Sequence, residues 1–288
     1  MPLYYSPTPV QEIVDSILDR AGVSLHVKRE DLNHPYVSGN KWWKLKFNLE
    51  EAVRKNCDTL LTFGGAFSNH IIATAAASAE IGFKSIGVIR GEPTTPLNPV
   101  LSFAQAKGMT LRYISRDAYR TKQIPDAWSE NTYVIPEGGS NMLAVKGVQE
   151  YCSLLTENFD FLCCPVGTGG TLSGLIEGIS TKKKILGFAV LKQKGFLEEE
   201  IKKLSEKSRT SENWQVISDY HYGGYAKNTP ALLDFIRRFQ PAHAMPLDFV
   251  YTGKMMAGIF DLVQKGFFSR GTTILAIHTG GTSLMPKT

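Results

Sequence analysis

Several short stretches of this 288-residue chain bring together residue types that do chemistry. The first is SGNKWWKLK, residues 38–46. Its apolar residues recur at helical spacing (Trp42, Leu45, Leu49), and Asn40 suits a helix N-cap. Lys41 then takes the first helical position, and Lys44 follows one turn later. The partial positive charge of a helix N-terminus favours carboxylates there, not ammonium groups. A lysine held in that field has its pKa lowered, and a partly neutral amine is what condensation with a carbonyl needs. The plainer alternative is a solvated lysine at a frayed end, a misfit of roughly a few tenths of a kcal/mol.

The second stretch is CCPVGTGGTLSG, residues 163–174. An apolar strand runs into Gly167, Thr168, Gly169, Gly170 and Thr171, and a helix follows. Glycines let the backbone approach a ligand, while the helix N-terminus and the hydroxyls supply donors for an anion such as phosphate. Glycine required by a tight turn alone is the simpler explanation, but three glycines with two threonines exceed that need. A P-loop would require GxxxxGK[ST], which is absent. A dinucleotide fingerprint would require glycine where Leu172 stands and an acid about 20 residues on, and Ala189 to Gly195 holds none. A small phosphorylated cofactor fits better. An imine-forming lysine together with a phosphate site is the pair that pyridoxal phosphate requires.

In GGAFSNH, residues 64–70, Ser68 stands where a helix should begin. It reads either as an N-cap or, with the Asn69 amide, as a polar group projecting from a ligand-binding edge. His70 either packs in the first turn or enters the pocket. YGGYAKNTP (222–230) and DFVYTGK (248–254) place Tyr225 and Tyr251 in glycine-flanked loops, and IHTGG (277–281) ends a strand at Thr279. Alone, none of these three is decisive.

The elements that must position these residues alternate. Strands are predicted over Thr59 to Phe63, Ser85 to Ile89, Leu111 to Ile114, Tyr133 to Ile135, Phe161 to Val166, Ile185 to Leu191 and Ile274 to His278. Helices are predicted from Ser68, from Asn98-Pro99 toward Lys107, from Met142 to Leu155 and from Gly170. Further helices cover Glu198 to Lys207, Pro230 to Arg238 and Lys254 to Gln264. Nearly continuous apolar strands separated by helices imply an α/β fold with parallel sheets covered on both faces. Ligands then bind beyond the C-terminal ends of the strands, where the glycine-rich turns lie.

Composition narrows the class. Hydrophobic content of 43% and charged content of 20% are globular values, and the net charge of +5 is spread along the chain. Lys182 to Lys184 read as a solvated edge, so nucleic acid is not indicated. The four cysteines form no CxxC pair and read as thiols in a reducing compartment, Cys163 and Cys164 within an apolar run. The N-terminus lacks a signal-peptide pattern and no apolar stretch is long enough to span a bilayer, so the expectation is a cytoplasmic protein with no membrane partner. No metal site is expected.

KRED (28–31), SGNKWWKLK, GGAFSNH, IPEGGSN (135–141), PVGTGGT, VYTGK and IHTGG occur in that order. The set resembles the pyridoxal-phosphate-dependent family that contains D-cysteine desulfhydrase and 1-aminocyclopropane-1-carboxylate (ACC) deaminase. The resemblance runs from about Lys28 to Gly281 and implies the tryptophan-synthase-β-like architecture known as fold type II. A small domain over 44–138 and a large one over 1–43 and 139–288 would enclose the cofactor. By the same resemblance Lys41 would carry the cofactor and act as acid and base at the substrate Cα. Asn69 would bind the cofactor's phenolic oxygen, and Gly167, Thr168, Gly169, Gly170 and Thr171 its phosphate, with Lys44 adding charge nearby. Ser68 would contact the substrate carboxylate or assist proton transfer, and Tyr225 and Tyr251, 26 residues apart, would face the substrate. A homodimer is implied as well.

Within that family, ACC deaminases carry a glutamate after the tyrosine matching Tyr251, and here the residue is Thr252. A neutral hydroxyl from Thr252 or Thr279 opposite the pyridine nitrogen would leave the ring a weaker electron sink than a carboxylate would. β-Elimination from cysteine tolerates that, because thiolate leaves readily. The resemblance therefore favours D-cysteine desulfhydration to pyruvate, ammonia and hydrogen sulfide, with ACC ring opening as the alternative. A non-catalytic binder of pyridoxal phosphate or an amino acid is the alternative of another class. Phe249, where members usually have proline, and the short chain are departures that bear on the substrate.

Overall fold

The computed structural model describes residues 3–121, 130–192 and 195–281. The last residues of the expected 139–288 segment, 282–288, lie outside the described residues. The chain opens with β1 (Val10–Ile13), α1 (Ser16–Ala21) and β2 (Ser24–Lys28). Next come α2 (Asn40–Arg54), β3 (Thr59–Gly64), α3 (Asn69–Ile81), β4 (Lys84–Arg90) and α4 (Pro99–Ala106). They lead to β5 (Met109–Ile114), α5 (Arg116–Arg120), β6 (Thr132–Ile135) and α6 (Met142–Tyr151). The chain continues with β7 (Phe161–Val166), α7 (Gly170–Gly178), β8 (Lys184–Ala189), α8 (Phe196–Leu204) and α9 (Lys207–Thr210). It ends with β9 (Trp214–Ile217), α10 (Pro230–His243), α11 (Thr252–Gln264) and β10 (Thr273–Ile277).

These strands form two sheets. One is six-stranded in the order β1-β2-β10-β7-β8-β9, the other four-stranded in the order β5-β4-β3-β6. Every pairing is parallel except that of β1 with β2. The α/β architecture with helices over parallel sheets is as the strand–helix alternation required. β3 is buried at every position, and α3 is buried without a break from His70 to Ser78. A helix apolar all round belongs inside, and α3 lies between β3, β4, α2 and α4.

The structure adds elements that the residue pattern does not announce. β2 carries His26 and Lys28, and its strand state comes from pairing with β10, where Leu25 faces Ile274 and Val27 faces Ala276. The charged helix expected over Glu198 to Lys207 is two helices. Ser205 turns extended (φ −132°) between them, and its hydroxyl donates to Glu177 Oε1 at 2.7 Å. Of the four cysteines, Cys152, Cys163 and Cys164 are buried free thiols, while Cys57 is half-buried.

Candidate active site

The C-terminal ends of β3, β7 and β10 converge with the first turn of α2 around one cavity. α2 starts at Asn40 with Gly39 at the cap (φ 67°), so Asn40 is not the N-cap that its type suggested. A Cβ on Gly39 would lie 1.9 Å from the Thr279 carbonyl oxygen, and only glycine lets the two segments pass so closely. Asn40 instead links two parts of the site: its amide donates to Thr171 Oγ1 (2.7 Å), and its Oδ1 accepts from Lys41 Nζ (3.3 Å). The Lys41 pKa is lowered to about 8. Burial is the cause, since it disfavours the charged form. Behind it, the buried Glu30 carboxylate accepts from Thr8 Oγ1 (2.5 Å), Asn33 Nδ2 (3.0 Å) and Trp43 Nε1 (2.9 Å) and holds the segment leading into α2. Trp42 and Trp43 pack in the core at 4.7 Å between ring centroids, and neither lines the cavity.

Lys44 is 2% exposed. Its ammonium donates to Ser140 Oγ at 2.9 Å, and no carboxylate pairs with it among the described residues. Burial first, and the charge of Lys41 second, push its pKa well down. Ser140 Oγ in turn shares a 2.5 Å hydrogen bond with Thr168 Oγ1. A Cβ on Gly170 would lie 2.7 Å from Ser140 Oγ and 3.1 Å from Lys44 Nζ, so the opening of α7 is pressed against both. α7 has no side-chain cap and no acid in its first turn. Gly167, Thr168, Gly169 and Thr171 line the cavity with Gly170. A bare helix N-terminus, an uncompensated buried cation and a row of hydroxyls together suit a phosphate. Ser140 escaped the sequence reading; its signal was the serine in IPEGGSN, which only the fold places beside residues 167–171.

After β3, Ser68 stands at the N-cap position of α3; its carbonyl accepts from Ile71 N (3.1 Å), but its side chain makes no cap hydrogen bond, so the hydroxyl is left to the cavity it lines. Asn69 Oδ1 is buried without a protein partner on the same wall. His70 lines the cavity and packs at once. Its Nε2 lies 2.8 Å from Thr62 Oγ1, whose own proton goes to the Ile135 carbonyl (2.9 Å). That assigns the proton to Nε2 and leaves Nδ1 a bare acceptor, buried and unpartnered. Burial, then Lys41 and Lys44, hold the ring neutral by pushing its pKa well down.

Tyr251 and Thr279 line the cavity, and Tyr225 meets Tyr251 edge-on with ring centroids 6.2 Å apart. Burial raises both phenols, so they are neutral donors. Thr252 is not brought to the cavity. It is fully buried, its hydroxyl donating to Asp248 Oδ2 (2.6 Å) and accepting from Asp248 N (3.0 Å). The reason is the Asp248 carboxylate, which also accepts from the backbone N–H groups of Val250, Tyr251 and Thr252 and thereby closes the start of α11. The aspartate four residues before Thr252 was the missed sign of this turn. No Asp or Glu side chain lines the cavity among the described residues, and no cluster of three metal-ligating side chains occurs among them.

The family model described as "Pyridoxal-phosphate dependent enzyme" matches residues 1–280. This chain belongs to that family. It is an enzyme that uses pyridoxal phosphate. Among its relatives, the Arabidopsis thaliana mitochondrial bifunctional D-cysteine desulfhydrase/ACC deaminase is 30% identical, over 90% of this chain and 73% of its own length. The ACC deaminase of Bradyrhizobium diazoefficiens is 29% identical, over 97% of this chain and 94% of its own. The crystal structure of an ACC deaminase homologue superposes with a TM-score of 0.85 at 29% identity, covering 98% of this chain and 91% of that one. The chain thus has the fold type II architecture of an ACC deaminase/D-cysteine desulfhydrase relative. No helix among the described residues is long and apolar enough to cross a membrane.

Proposed function

We propose that this enzyme eliminates hydrogen sulfide from D-cysteine and that water hydrolyses the released aminoacrylate to pyruvate and ammonia. One observation carries the choice: no carboxylate lines the cavity among the described residues. The cofactor ring would meet a neutral partner, with Thr279 the candidate now that Thr252 is bound to Asp248. A weaker electron sink suits a reaction with a good leaving group. Pyridoxal phosphate, when bound, supplies that sink for the electron pair left at Cα. The residues do the rest. Lys41 would form the covalent link to the cofactor and would take the Cα proton, its amine giving up its own proton more readily than an exposed lysine's. Lys44, Thr168, Thr171 and the N-terminus of α7 hold the phosphate. Asn69 orients the ring, and Ser68 with the start of α3 holds the substrate carboxylate. Tyr251 and Tyr225 donate toward the substrate side chain as neutral phenols.

The same reading includes the division of labour between 44–138 and the rest of the chain, and a homodimer. The four-stranded sheet falls wholly within 59–135, which supports the first, while α2 lies at the seam with α6 on one side and α3 on the other. A second reaction, ring opening of ACC to 2-oxobutyrate and ammonia, is favoured by the names of the relatives. Purified holoenzyme incubated separately with D-cysteine, L-cysteine and ACC decides between them. Equimolar sulfide and pyruvate from D-cysteine is the expected result. 2-Oxobutyrate from ACC without sulfide from D-cysteine would move the assignment to the second reaction, and no product from any of the three would overturn both.

A further inference from the structure

The loop between β9 and α10 is built from two β-turns that share a residue. Gly224 N donates to the His221 carbonyl at 3.0 Å, and Lys227 N donates to the Gly224 carbonyl at 3.1 Å. The first turn, 221–224, has both central residues at positive φ, Tyr222 at 48° and Gly223 at 95°. The second, 224–227, carries Tyr225 and then Ala226 at φ 54°. Two residues with side chains therefore sit in the left-handed region that L-amino acids disfavour, and a loop built this way needs something to hold it. The holding group comes from α11. Lys254 is fully buried, and its Nζ donates to the His221 carbonyl at 2.8 Å and the Gly224 carbonyl at 2.7 Å. These are the two carbonyls that close the two turns, and Gly224 immediately precedes Tyr225. Lys254 is also three residues beyond Tyr251, so one helical turn links the lysine to the second tyrosine.

We propose that Lys254 is a positioning residue for the tyrosine pair: by tying together the two turns of the 221–227 loop, the second of which carries Tyr225, it sets that ring against Tyr251 at the edge of the cavity. The placement of both tyrosines toward substrate rests on the function proposed above; the tie itself does not. Burial lowers the lysine to about 8 while the Asp248 carboxylate opposes that shift. The Tyr251 N–H donates to Asp248 Oδ1, so a buried carboxylate holds the backbone of one tyrosine and a buried lysine the turn that carries the other.

The test is Lys254→Met in protein labelled with 3-fluorotyrosine, the Tyr225 resonance being assigned by its loss in Tyr225→Phe. The expected result, with or without substrate, is a shifted and broadened Tyr225 signal while that of Tyr119 stays in place. For whichever amino acid the holoenzyme turns over, KM rises about tenfold with kcat nearly unchanged, the mark of a misplaced binding wall. Lys254→Gln, which keeps uncharged N–H donors, recovers part of both effects. An unmoved Tyr225 signal with unchanged KM in Lys254→Met overturns the proposal. So does loss of the folded state in both variants, which would make Lys254 a support of the core. A chain that turns over neither D-cysteine nor ACC still gives the fluorine result, so failure of the reaction assignment and failure of the tie are distinguishable.

Discussion

Replacing Lys44 by methionine should move two quantities in opposite directions. In the cofactor-free protein the ammonium is desolvated, faces Lys41 and has a hydroxyl for a partner. Its folded pKa lies below the ordinary 10.5, so the unfolded chain holds that proton more tightly. The resulting penalty is complete below the folded pKa and fades as pH climbs toward the unfolded value. Replacing a buried charge by a well-packed apolar side chain of similar size is often stabilising by about 1–4 kcal/mol. Against this stands the lost bond to Ser140, worth about 1 kcal/mol. The Lys44→Met protein without cofactor should therefore gain about 1–3 kcal/mol near neutral pH, a rise in Tm of roughly 2–8 °C. With cofactor the sign reverses. A phosphate charge about 4 Å from the ammonium is attracted by ~4 kcal/mol at an effective dielectric of about 20. Water entering the vacated space and the remaining donors of α7 return part of that. A loss of about 2.7 kcal/mol, or a hundredfold in Kd, is the expected outcome. Scanning fluorimetry of the cofactor-free protein and equilibrium dialysis with pyridoxal phosphate read the two effects, and pyridoxal, which lacks the phosphate, should bind both proteins alike. A fall in Tm with unchanged cofactor affinity would refute the reasoning and leave Lys44 as a structural donor to Ser140.

Two further predictions concern neighbouring residues. Because the Lys41 amine titrates near pH 8, covalent attachment of pyridoxal phosphate to cofactor-free protein should accelerate about tenfold between pH 6 and 7 and level off above 8. Rapid-mixing absorbance measures this, Lys41→Ala should show no attachment, and a rate flat from about pH 6 to 9 would contradict the lowered pKa. Thr252→Val keeps the shape but strips the hydroxyl from Asp248, which should cost about 1–3 kcal/mol of stability and leave the cofactor absorption spectrum unchanged. A shifted spectrum with stability intact would return Thr252 to the cofactor.

The division between what was legible in residues and what required the fold follows from distance along the chain. The signal for the architecture survived. The alternation of apolar strands and amphipathic helices implied parallel sheets, because a βαβ unit can bury its faces in few other ways. The stretch from Gly167 to Thr171 could be read as a strand, a glycine turn and a helix N-terminus, because these are contiguous in sequence. Lys41 and Lys44 stood out by breaking a local rule, and rule-breaking residues gather where function is. Side-chain partnership across the chain was another matter. Asn40 looked like a cap until folding placed Thr171 within hydrogen-bond reach of its amide, 131 residues on, while Thr279 closed over Gly39. Thr252 looked free to face a cofactor, yet the Asp248 carboxylate, folded back over the start of α11, claims both its donor and its acceptor. Whether Lys41 loses its charge through the helix field or through burial also depends on which atoms exclude water from it, and those come from several distant segments. The sequence determined the α/β architecture and the cofactor, since these rest on short-range pattern. Only the tertiary structure decided which polar groups remain unpaired in the cavity, because hydrogen bonding is settled by proximity in space and each donor spent elsewhere is one fewer for the ligand.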